Sequence, residues 1–250
     1  MAITIKTAEQ IENMRIAGNI LIDLIDILEE MIKPGITTGE LDKTAESFIK
    51  SRGAKPSFLG YGGYPKTLCT SVNEEIVHGI PGLRKLKNGD ILSIDMGAYI
   101  NGYHGDCART YGVGTISEEN KKLIEVTKQS FFEGIKYAKA GNHLYEISAA
   151  VQAYAEANGF GVVRDYVGHG IGRAMHEDPA IPNYKQTGRG PKLQKGMVLA
   201  IEPMITAGTY ECKVLKDGWT AVTRDGSNAA HYENTVLITD GEPELLTFKK

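Results

Sequence analysis

Apolar positions in this chain recur first at helical spacing and then in strand alternation. Ile11, Met14, Ala17, Leu21, Leu24, Leu28 and Met31 form one stripe of a 3.6-residue repeat. Thr7-Ala-Glu-Gln10 stands ahead of them as a capping box, and Pro34-Gly35 ends the helix. A second box, Thr37-Thr-Gly-Glu40, opens a stripe of Leu41, Ala45, Phe48 and Ile49 that Gly53 closes. Ser117 caps a third helix, with Leu123, Val126 and Ile135 inward, and a fourth runs from about Leu144 to Asn158-Gly159. Between the pairs lie an aromatic, glycine-rich loop, Phe58 to Pro65, and a strand with its turn, Leu68 to Pro81.

The period then changes to two. Ile91 to Tyr111 reads as a hairpin turning at Asn101-Gly102, because a type I′ turn needs φ > 0 at both central residues. That turn pairs Ile100 with Tyr103, Asp95 with Ala108 and Gly97 with Asp106. Asp95 and Asp106 become diagonal neighbours on one face, roughly 7–8 Å apart at Cα. Gly97 and Gly105 leave space beside them. A solvated edge hairpin would also show two carboxylates. Asp95, however, interrupts an apolar run, and an unpaired buried carboxylate costs several kcal/mol or is driven neutral. A cation removes that cost.

The pattern repeats. Lys33-Pro-Gly35 through Glu40-Leu41 matches Lys139-Ala-Gly141 through Glu146-Ile147, and Gly53 matches Gly159, each 106 residues later. Gly89 through Asp95 matches Gly196 through Glu202, 107 residues later. Two helices followed by a strand ending in an acid thus occur twice. This spacing predicts a duplicated α+β unit, with helices outside a curved, mainly antiparallel sheet and the two carboxylate strands meeting near a pseudo-twofold axis. It gives one domain of two related halves, about 7–112 and 117–250.

Composition narrows the function. A chain of 250 residues with 42% hydrophobic and 24% charged content is long enough for a sizeable core. A net charge of −3 argues against a nucleic-acid surface, and Arg84-Lys85-Leu-Lys87 is too short to change that. The first residues lack the pattern of a signal peptide, and no uninterrupted apolar run of ~18 residues exists, so neither export nor a membrane is expected. Three scattered cysteines, Cys69, Cys107 and Cys212, show no zinc spacing and suit a reducing cytoplasm.

Further ligand candidates sit in the second half. His169 lies among glycines in Gly168-His-Gly-Ile-Gly172, read as a turn stripped of bulk for close approach of a ligand. Glu202 precedes Pro203, where its strand must end or bulge. Glu233 lies in an alternating, otherwise apolar strand, and its neighbour His231 reads as a surface residue. Asp95, Asp106, Glu202 and Glu233 with His169 would be strongly anionic if crowded together, and like charges oppose such ionisation. Two divalent cations would neutralise them. Oxygen-rich ligation with one nitrogen suits Mn²⁺, Fe²⁺, Co²⁺ or Zn²⁺, and paired ions activate water for hydrolysis.

This set, with its Asp-(ten residues)-Asp, Gly-His-Gly-Ile-Gly, Glu-Pro-Met and His-Tyr-Glu-Asn-Thr motifs, resembles the metal site of the methionine aminopeptidases. The resemblance runs from the first helix to the last strand and implies the duplicated pita-bread fold. The short span between His176 and Glu202 is similar to the type I class, and the N-terminus to its bacterial form. On matching positions the resemblance implies that Asp95 chelates one metal, Asp106 and Glu233 bridge both, and His169 and Glu202 complete the second. It makes Glu202 the proton shuttle, His176 the donor to the scissile carbonyl, and His78 a contact to the substrate backbone. Tyr61, Tyr64, Cys69 and Trp219, with Phe58 and Met175 nearby, would form the methionine pocket. Met175 stands where many relatives carry an aromatic. The implied substrates are N-termini of nascent proteins with a small second residue, met by a cytoplasmic monomer near the ribosome. Met1-Ala2 would make the chain a candidate for its own processing. Two rivals share the fold, a proline-directed peptidase of the prolidase or aminopeptidase P kind and a non-catalytic peptide-binding relative. A metal-dependent phosphoesterase is a third, without an evident basic clamp.

Overall fold

The computed structural model describes residues 2–249, so the expectation for Met1 lies outside the described residues. Four α-helices form among the described residues: α1 (Ala8–Met31), α2 (Thr38–Ser51), α3 (Glu118–Ile135) and α4 (Leu144–Ala157). Their starts follow from side chains that satisfy the free amides of a first turn. Thr7 Oγ1 accepts from Gln10 N while Gln10 Oε1 accepts from Thr7 N, and Thr37 and Glu40 exchange the same bonds. Ser117 Oγ accepts from Asn120 N at 3.2 Å. The Glu146 carboxylate accepts from His143 N at 3.0 Å, as Glu40 does one repeat earlier.

Nine strands make the main sheet, and its ladders are antiparallel. The order is Lys55–Pro56, Ile91–Ile100, Tyr103–Gly112, Glu233–Leu237, Val198–Ile201, Gly168–Gly170 and Glu177–Ile181. Leu68–Val72 also joins Ile91–Ile100, and Glu244–Leu245 joins Glu233–Leu237. The hairpin turns at Asn101 (φ 53°) and Gly102 (φ 86°), with Asp95 opposite Ala108 and Gly97 opposite Asp106.

One expectation about the seam differs. The strands bearing Asp95 and Glu202 do not pair with each other. Tyr103–Gly112 and Glu233–Leu237 form the central pair, and the two carboxylate strands flank it on either side. The hairpin explains this: its second strand takes the open edge next to the other half. A second difference concerns Gly97 and Gly105. A Cβ on Gly97 would meet Ser57 Cβ at 2.7 Å, and one on Gly105 would meet Ala17 Cβ at 3.2 Å. The space they leave is taken by the 57–58 loop and by α1.

The core is split between the halves. Leu21, Leu24 and Leu28 of α1 and Leu41, Ala45 and Ile49 of α2 pack on Leu92, Ile94, Met96 and Ala98. Phe131 of α3 and Leu144 and Ile147 of α4 pack with Leu199, Ile201, Val236 and Ile238. Alternation along these strands sends the intervening residues to the opposite face.

Candidate metal centre and substrate cleft

Register alone carries the acids to that opposite face, since directly paired residues share a face. Cys69 pairs with Asp95, Asp95 with Ala108, and Ala108 with Glu233. Asp106 lies two residues from Ala108. In the other half His169 pairs with Ala200 and Ala200 with Thr235, two residues from Glu233. Glu202 follows Ala200 by two, just past the last residue of Val198–Ile201. There Pro203 takes the chain into a smaller sheet, where Met204–Thr206 pairs with Ala229–His231. Tyr232 marks the matching break before Glu233.

The ligand candidates therefore converge. One ligand atom each from Asp106, His169 and Glu233 lies within 4.8 Å of the others. His169 Nε2 is 3.6 Å from Asp106 Oδ2 and 3.6 Å from Glu202 Oε1. His169 Nδ1 donates to Gly170 O at 2.9 Å, which fixes the ring and leaves Nε2 facing the acids. His169 lies in the strand Gly168–Gly170, not in a turn. The glycines serve strand packing, because a Cβ on Gly168 would meet Ala200 O at 2.4 Å and one on Gly170 would meet Asp178 O at 2.1 Å.

Electrostatics set the chemistry of this face. Burial pushes the Asp95 carboxyl well above the carboxylate range, and Asp106 and Glu202 push it further. Burial, Asp106 and Glu202 do the same to Glu233. Burial also raises Asp106, although His169 pulls it down. Asp95 Oδ1, Asp106 Oδ1 and Glu233 Oε1 are buried without a hydrogen-bond partner. Such acceptors are costly to bury, and a divalent cation both satisfies and neutralises them. The donor set of carboxylates with one imidazole fits the harder transition ions.

The remaining candidates wall the same cleft, of about 170 Å³, which Phe58, Tyr61, Tyr64, Cys69, His78, Met175, His176 and Trp219 line with the five ligand candidates. Tyr64 is fixed by hydroxyl contacts to Leu68 O and Gly79 O, and its ring meets Trp219 edge-on at 5.1 Å. Burial raises the Cys69 thiol well above its ordinary value and Asp95 adds to this, so it stays an apolar wall. His78 holds a left-handed backbone (φ 61°) and stacks edge-on with Tyr166. Burial lowers its pKa. His176 stands at the rim, its Nδ1 bonded to the Tyr61 hydroxyl at 2.8 Å and its ring 4.2 Å from that of His169. Burial against the wall and the neighbouring His169 bring it to about 4, so it is neutral at pH 7.

His231 is the correction among the histidines. It is 2% exposed, and its Nε2 lies 3.4 Å from Glu202 Oε2. Two-residue spacing from Glu233 offered a signal, but the strand breaks at Tyr232, so parity does not carry across it. Tyr166, from the opposite half, had no local signal at all.

A fold of two helix-backed halves closing a carboxylate and imidazole cluster at their seam defines a metallopeptidase class. The model of metallopeptidase family M24 matches residues 12–240, and the chain belongs to that family. A methionine aminopeptidase of Clostridium acetobutylicum is 59% identical over 246 residues, 98% of each chain. The crystal structure of a methionine aminopeptidase from Rickettsia prowazekii superposes with a TM-score of 0.97 at 42% identity, covering 99% of this chain and 100% of that one. The prolidase from Pyrococcus furiosus is more distant, with a TM-score of 0.76 at 27% identity, and 98% of this chain covers 66% of it. The fold is the pita-bread fold of that family.

Proposed function

We propose that this protein removes the N-terminal methionine from peptides and nascent proteins, with a small residue preferred second. The observation that carries it is the set of buried, unpartnered carboxylate oxygens on one sheet face, opening directly into an apolar, methionine-compatible cleft. High identity to methionine aminopeptidases along nearly the whole chain supports the substrate class.

Asp95, Asp106, His169, Glu202 and Glu233 would hold two divalent ions of Co, Mn, Fe or Zn. When bound, the ions supply Lewis acidity and make water nucleophilic near neutral pH. Glu202 takes the proton from the attacking water and delivers it to the leaving amine. Neutral His176, held through Nδ1 by Tyr61, presents Nε2 to the scissile carbonyl and stabilises its developing charge. His78 contacts the substrate backbone on the leaving side. Phe58, Tyr64, Cys69, Met175 and Trp219 enclose the methionine side chain, with Tyr61 at the mouth. The whole chain is read as one catalytic domain of two related halves, about 7–112 and 117–250. The reading extends to a cytoplasmic monomer that meets nascent chains near the ribosome. Three free cysteines, all buried, support a reducing setting.

Turnover of Met-Ala-Ser against Ala-Pro peptides tests the proposal. Cleavage of the first, lost with chelator and restored by Mn²⁺ or Co²⁺, is expected. Preference for Ala-Pro would turn the reading to the prolidase kind, and metal binding without any cleavage to a peptide-binding relative.

A further inference from the structure

We propose that His231 is a positioning residue that orients the Glu202 carboxylate, an inference that rests on the role given above to Glu202. The two oxygens of Glu202 face two different imidazoles. Oε1 lies 3.6 Å from His169 Nε2, on the side of the ligand cluster, and Oε2 lies 3.4 Å from His231 Nε2. His231 Nε2 is buried and has no hydrogen-bond partner, and Glu202 Oε2 is the carboxylate oxygen that faces it. A small turn of the ring would bring an Nε2–H onto Oε2, holding that oxygen and leaving Oε1 toward the reacting side.

His231 is itself held from behind. Thr110 Oγ1 accepts from His231 N at 2.8 Å and contacts His231 O at 2.8 Å, and Ser93 Oγ lies 2.7 Å from the same hydroxyl. Thr110 and Ser93 are paired across the Asn101-Gly102 hairpin. Met204 pairs with His231 from the other side. Asn183 Nδ2 meanwhile donates to Glu202 O at 2.9 Å, so the main chain of Glu202 is pinned separately from its carboxylate. The hairpin of the first half thereby sets the orientation of an acid from the second. Groups that orient a ligand or proton carrier typically contribute about 10–100-fold in metal affinity or activity.

Three variants test this, His231→Leu, His231→Gln and His231→Asn, each checked for folding by circular dichroism. Gln keeps an N–H donor of similar reach and carries no ring charge; Asn withdraws the donor; Leu removes it. For Met-Ala-Ser hydrolysis by the Mn²⁺-loaded protein, Leu is expected to lower kcat by about 10–100-fold with KM unchanged. Calorimetric titration of the chelator-stripped protein with Mn²⁺ is expected to show a matching loss of affinity. Gln is expected to recover most of both. Leu kinetics and Mn²⁺ affinity equal to wild type would overturn the proposal, as would equal impairment in Leu and Gln. If Leu does not fold, Asn takes its place, and Asn equal to Gln overturns it. A loaded wild type that leaves Met-Ala-Ser intact would instead remove the functional reading, while the Mn²⁺ titrations would still report on Glu202.

Discussion

Glu177 offers a stability test that reaches the active cleft. Its carboxylate accepts from Lys6 Nζ at 2.7 Å, and the two side chains are only 5% and 10% exposed. Thr4 Oγ1 donates to the same oxygen at 2.7 Å, and Ala174 N donates to the other at 3.2 Å. Lys6 also contacts the Thr4 hydroxyl. Residues 4–6 are thus tied to the turn that delivers Met175 and His176. Gly172 leaves the room, since a Cβ there would meet Lys6 Cε at 2.6 Å. Glu177→Gln leaves a buried ammonium without its counter-charge, which costs about 3–5 kcal/mol. The remaining Thr4 contact argues for the lower end. At about 2–4 °C per kcal/mol for a chain of this size, Tm at pH 7 should fall by roughly 6–12 °C. The pH dependence has a definite sign. The hydrogen bonds and Lys6 outweigh burial, and the folded pKa of Glu177 is lowered. Its contribution is therefore present above the unfolded carboxylate value and is lost as pH falls through the folded one. Scanning calorimetry of wild type and variant from pH 7 to pH 3 should show the two Tm values converging in acid. A variant with wild-type Tm at pH 7, or a difference that stays constant down to pH 3, refutes the reasoning.

Three further outcomes are expected. Glu202→Gln should fold normally yet lose about 10²–10⁴ in kcat on a Met-Ala peptide, and wild-type turnover would remove its role as proton carrier. Stripping divalent ions should abolish hydrolysis, and returning Mn²⁺ at 100 times its Kd should add about 2.7 kcal/mol of stability, read as a rise in Tm. His78→Ala should slow cleavage while elemental analysis finds the metal content unchanged; metal loss would contradict its assignment to substrate contact.

Local rules made much of this molecule legible. The capping boxes at Thr7 and Thr37 mark helix starts because the donor and acceptor lie within four residues of each other. Asn101-Gly102 determines the hairpin register, and with it the relation of Asp95 to Asp106, because left-handed backbone at two adjacent positions is available to few residue pairs. The acids at Glu202 and Glu233 stood out as ionisable groups in apolar strands, a placement that demands compensation wherever the strands end up.

Residues whose role depends on contacts with other strands were not legible in this way. The glycines around His169 looked like a ligand turn, but a flanking backbone, Ala200 on one side and Asp178 on the other, occupies that space. His231 looked like surface, and its burial depends on Thr110 and Glu202, 121 and 29 residues away along the chain. Sequence by itself determined the four long helices, the hairpin register and the identity of the acids, since those follow from interactions over a few residues. Only the tertiary structure decided which strands meet at the seam and which imidazole faces which oxygen of Glu202. Those depend on how strands far apart in the chain pair within one sheet, and that pairing is set by shape across the whole chain.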